Sequence, residues 1–89
     1  MDLDQYFTRP GAESMATFAQ ERSMNEGQIR QWRHQYKGRR PGTIACVVLE
    51  RSTNGALRRW DLRPDDWHEH WPELIGAEGA PPVPQEQVA

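Results

Sequence analysis

Eighty-nine residues, 36% of them hydrophobic, allow one small domain with a modest core and exclude two. The single cysteine, Cys46, excludes an internal disulfide and fits a reducing compartment, while no apolar run approaches the length of a membrane-spanning helix. The net charge of −2 argues against nucleic acid only as an average: from Arg22 to Arg63 ten Lys or Arg stand against three acids, Glu26, Glu50 and Asp61, a local excess of +7 between acidic ends.

The chain opens with two aspartates rather than with Lys or Arg, so no signal peptide is expected and the protein reads as soluble and cytoplasmic. Asp2 or Asp4 can cap a first short helix through Tyr6 and Phe7, which ends before the turn signal Arg9-Pro10-Gly11. Glu13-Ser14 restarts a helix with Met15, Phe18 and Ala19 on one face. The stretch FAQERSMNEGQIRQW then reads as two amphipathic helices separated by a tight polar turn. The second begins near Asn25, with Gln28 as a capping-box partner, and carries Ile29, Trp32 and Tyr36 inward. Gly38 is expected to end it, before a basic loop, Lys37 to Gly42.

Thr43 can cap a fourth helix, TIACVVLERST, which ends at Asn54-Gly55; ACVVL is also compatible with a buried strand, but its length and its ends favour the helix. Residues 56 to 63 fit either an extended stretch or a helix. Pro64 suits the first position of a last helix, DDWHEHW, with Asp65 and Asp66 near its positive end. From Gly76 the composition is that of a disordered tail, so the reading is an all-α domain over 1–75 followed by a tail over 76–89. Four tryptophans suggest that aromatic area compensates for a thin aliphatic core. Trp32 and Trp60 read as core, whereas Trp67 and Trp71 fit either the core or an exposed dimer patch.

Two consecutive short helices with amides and guanidinium groups on the outer side of the second are what reading base edges in a major groove requires. Asn25, Arg30 and Gln31 have the spacing for it; the alternative is that they are ordinary solvated side chains. Arg33, Lys37, Arg39 and Arg40 are placed to meet phosphates, or merely to keep a loop soluble. His68 and His70 stand two apart, so they diverge on a helix and no metal site is expected. No nucleophile sits in a catalytic setting and no glycine-rich phosphate loop is present; neither an enzyme nor a cofactor is expected.

The chain resembles the Cro-like helix-turn-helix regulators, specifically the YdaS-type group of phage and prophage repressors or antitoxin-like proteins. The resemblance spans about residues 2 to 75 and rests on FAQERSMNEGQIRQW, on KGRRPG with LERSTNGAL, and on RRWDLRPDDW with WPEL. It implies a bundle of about five helices of the lambda-repressor-like kind, whose third helix enters the major groove of an operator, often as a homodimer. On matching positions, Asn25, Glu26, Gly27, Arg30 and Gln31 would lie at the DNA-facing start and outer side of that helix, and His34 at its far end. The chain departs from the group at Arg22, where leucine is usual, and at Ser23, where a turn glycine is usual. Arg22 must therefore reach solvent or a phosphate, and Ser23 must accept a conformation that glycine adopts more easily. The expected function is a transcriptional regulator, with a protein-interaction module binding through the tryptophan-rich end as the alternative.

Overall fold

The computed structural model describes residues 1–83. These residues form an all-α bundle of six short helices with two 3-10 turns. No helix among them is long and apolar enough to cross a membrane.

The first half is assembled by side-chain caps. Asp2 accepts from the Gln5 N–H at 2.8 Å while the Gln5 side chain accepts from the Asp2 N–H at 2.8 Å, a reciprocal box that opens α1 (Leu3–Thr8). Ser14 caps α2 (Met15–Glu21) through the Thr17 N–H, and Asn25 caps α3 (Glu26–His34) through the Gln28 N–H at 2.9 Å. Tyr6 and Phe7 of α1 meet Phe18 of α2 edge to face, with ring centroids 5.1 to 5.5 Å apart, and α3 packs Ile29 beneath them. Between α2 and α3 the chain reverses at Ser23, whose φ of 55° is left-handed, and the Met24 N–H returns to the Ala19 carbonyl at 2.8 Å. The serine does adopt the conformation that glycine takes more easily.

Three boundaries differ from the sequence expectation. Helix α3 ends at Gln35, which is itself left-handed (φ 53°), rather than at Gly38. That break takes Tyr36 off the inward stripe, so the residue is 53% exposed instead of buried and begins a 3-10 turn, Tyr36–Gly38. Thr43 is the first residue of α4 (Thr43–Ser52) and not its cap; Gly42 occupies that position without a side-chain bond. Pro64 does not open the last helix. Asp66, the residue before α6 (Trp67–His70), is bound to Arg63, so the residues from Pro64 to Asp66 form a turn.

Helix α4 is helical throughout and buries Cys46 and Leu49. Asn54 and Gly55, both at positive φ, reverse the chain and deliver Leu57 to the core, after which Arg59–Leu62 forms the single-turn α5. The undecided segment is thus bent at Ala56 and Leu57, extended only at Arg58, and helical from Arg59. Trp67 is fully buried and Trp71 nearly so, with the half-buried Trp60 edge-on to Trp67 at 5.8 Å. The large aromatic rings of this end complete the core. Beyond the 3-10 turn Pro72–Leu74, the residues expected to begin a tail form further turns, and Ala80 rests against the core. The remainder of the expected tail, 84–89, lies outside the described residues.

Candidate nucleic-acid interface

One turn of α-helix takes 3.6 residues, so Gly27, Arg30, Gln31 and His34 share a single stripe of α3. The opposite stripe carries Ile29, fully buried, and Trp32, half-buried against the core. The core contact of Ile29 and Trp32 therefore dictates which side chains look outward.

Each outward group has a definite state. The Asn25 carbonyl oxygen is engaged in the cap, which leaves its amide N–H groups as the outward donors. Gly27 has only Asn25 Oδ1 nearby, 3.1 Å from where a Cβ would stand, so a side chain there would press on the cap. Its lack of one leaves the helix backbone open to close approach. Glu26 accepts from Arg30 Nη2 at 2.6 Å, one turn apart on the surface. Such a pair contributes only about 0.2 to 0.5 kcal/mol, so a better partner for the guanidinium displaces the carboxylate at little cost. Gln31 accepts from Arg39 Nη1 at 2.9 Å, which draws the loop toward the helix. His34 is exposed at the far end of the stripe.

The basic loop divides into free and committed members. Lys37 and Arg39 are exposed and, among the described residues, make no ion pair. Arg40 instead reaches Asp65 and Asp66 across the fold. Arg33, expected to face phosphate, donates to Asp4 of α1 at 3.0 Å and is largely buried. Arg22 lies over the Phe18 ring at 3.7 Å and donates to Ser52 Oγ at 2.9 Å and to the Ser52 and Phe18 carbonyls. Arg22 thus covers the core with its flat face while joining α2 to the end of α4. In all, seven of the ten bases between Arg22 and Arg63 have a carboxylate partner; Lys37, Arg39 and Arg51 are the exceptions among the described residues.

Asp65 and Asp66, after Pro64, neutralise Arg40 and Arg63. Arg63 donates to both oxygens of Asp66, at 2.9 and 2.8 Å, and to the Pro41 carbonyl at 2.8 Å. The hydrogen bonds from Arg63, together with the charge of Arg40 and a bond to His70, lower Asp66 to about 2. The same Asp66 bond raises Arg63 above its ordinary value. Burial pushes the Cys46 thiol up to about 11, so it stays protonated and unreactive. His68 is buried beside Trp67, with neither ring nitrogen bonded among the described residues, whereas His70 points to Asp66 at 3.2 Å.

Sequence reasoning missed Tyr36 as a surface group. No local residue announces that a glutamine will take the left-handed position at the end of α3. Compared with family models, with curated proteins and with solved structures, the chain matches none.

Proposed function

We propose that this chain is a sequence-specific DNA-binding regulator, a Cro-like repressor of the kind its sequence resembles, with α3 lying in the major groove of its operator. The observation that carries the reading is the outer stripe of α3: Gly27, Arg30, Gln31 and His34 are aligned on a helix whose other side is anchored by Ile29, and the exposed cations Lys37 and Arg39, without an ion pair among the described residues, follow directly. A helix about 10 to 12 Å across fits a groove about 12 Å wide. Arg30 carries the donors that suit guanine, Gln31 the amide that suits adenine, and Lys37 and Arg39 the charge that suits flanking phosphates. Glu26 disfavours unspecific contact and releases Arg30 only to a partner that binds it better. Repression then requires no chemistry, only occupancy of a site that polymerase needs, and a second copy on a two-fold-related half-site extends the sequence read.

The rival reading, a protein-interaction module working through the tryptophan-rich end, lacks its expected surface because Trp67 and Trp71 are in the core. Its remaining support is Ile44, 80% exposed on α4, with Val48 one turn on. Fluorescence polarisation with DNA from the gene's own upstream region, against scrambled DNA of equal length at several salt concentrations, separates the two. The regulator reading expects a preference of about a thousandfold or more near physiological salt. Equal, weak binding that vanishes with salt overturns it.

A further inference from the structure

We infer that Tyr36 is a specificity-determining residue that reads the 5-methyl group of a thymine at the edge of the DNA site; the inference rests on the DNA-binding reading above. The residue is more than half exposed, and its close cationic neighbours are Lys37 Nζ and the Arg39 guanidinium, 5.4 and 5.7 Å from the ring centre. It is absent from the hydrophobic core, so packing does not explain its position. With Arg30, Gln31 and His34 it lines an open concavity whose walls are mainly the apolar parts of these side chains and which, among the described residues, no carboxylate lines.

The backbone holds the ring there against a local preference. Gln35 and Lys37, on either side of Tyr36, both have a φ of 53°, a left-handed conformation that side chains with a Cβ adopt at some cost. Strain of this kind persists only where the surrounding structure fixes it, and it concentrates at binding sites. Here it turns an aromatic ring out beside the hydrogen-bonding stripe of α3.

The occupant follows from charge and shape. Lys37 and Arg39 flank the ring, so the site favours a polyanion, and the concavity is open to something that approaches as a broad surface. Thymine is the base that presents an apolar group to the major groove, and apolar side chains contact that methyl. An aromatic edge beside amide and guanidinium donors therefore adds thymine to the bases that Arg30 and Gln31 select. Stacking on an extruded base is a worse fit, because a base in a duplex must first be unpaired and unstacked.

The test begins with duplexes selected by the full chain from a randomised double-stranded DNA library. In the preferred duplex each thymine is replaced in turn by deoxyuridine, which removes only the methyl group. Binding is measured for the natural chain, Tyr36→Phe and Tyr36→Ala, with circular dichroism as the check on folding. One replacement, or one symmetric pair, is expected to weaken the natural chain and Tyr36→Phe by about fourfold per methyl, the value of withdrawing one such group from water. The same replacement is expected to leave Tyr36→Ala unchanged. If no replacement weakens the natural chain, or if the same replacement weakens Tyr36→Ala equally, the inference is overturned while the DNA reading stands. If selection yields no preferred duplex, both fall together.

Discussion

The stretch from Glu26 to Arg39 and the segment from Arg58 to Trp71 both combine arginine, acid and aromatic residues, and the outer side of the first ends in the opposite state to the second. At the C-terminal end each guanidinium meets a carboxylate: Arg63 clamps Asp66, Arg40 joins the same acid from the loop, and Arg58 and Arg59 hold Glu50. The rings of Trp67 and Trp71 are inside. On the outer side of α3 Arg30 and Gln31 are held by exposed contacts to near neighbours, and Tyr36 is outside. A run of charge in a sequence therefore has no fixed meaning. What decides it is whether the fold brings an opposite charge within reach.

The contrast can be broken most severely at its buried side. Trp67→Ala is expected to cost about 3 to 5 kcal/mol, enough to leave much of so small a domain unfolded, as read by denaturant titration. A loss below about 1 kcal/mol would mean that the ring is not the centre of this end. Arg30→Ala with Gln31→Ala attacks the other side. Discrimination between operator and scrambled DNA is expected to fall by about 1 to 3 kcal/mol for each bidentate base pairing removed, while unfolding free energy moves by less than about 0.5 kcal/mol. Stability and binding falling together would make the stripe structural.

The Arg63–Asp66 clamp has a pH signature. Its lowered carboxyl means that the stabilisation is fully present above the ordinary value near 4 and is lost as pH falls through about 2. Its size is on the order of 1 kcal/mol after solvent screening, and Asp66→Asn should remove that part of the acid dependence in pH-resolved melting. An unchanged acid limb in the variant would show the clamp to be energetically silent. The smallest effect is expected at the turn before α3. Ser23→Gly relieves a left-handed serine and should raise stability by up to about 1 kcal/mol, seen as a higher midpoint of thermal unfolding; a lower midpoint would show that the side chain itself holds the turn.

Much of the fold was legible because its signals are short. Asp2, Ser14 and Asn25 each cap a helix through a backbone N–H three residues on, and Phe18, Ala19 and Ile29 follow from helical spacing. The candidate site was legible to the extent that Ile29 fixes the outer stripe of α3. It was not legible at Tyr36, where one left-handed glutamine defeats the helical count, nor at Gly42, which stands where Thr43 was expected to cap.

The helix starts at Asp2, Ser14 and Asn25, the inward stripes of α2 and α3 and the all-α class belonged to the sequence by itself, because each depends on residues within about one turn of one another. Only the tertiary structure decided which bases are free and which rings are buried. Arg33 finds Asp4 at a separation of 29 residues, Arg22 finds Ser52 at 30 and Arg40 finds Asp65 at 25. Composition counts such charges but cannot pair them, since pairing over those distances exists only once the helices have packed.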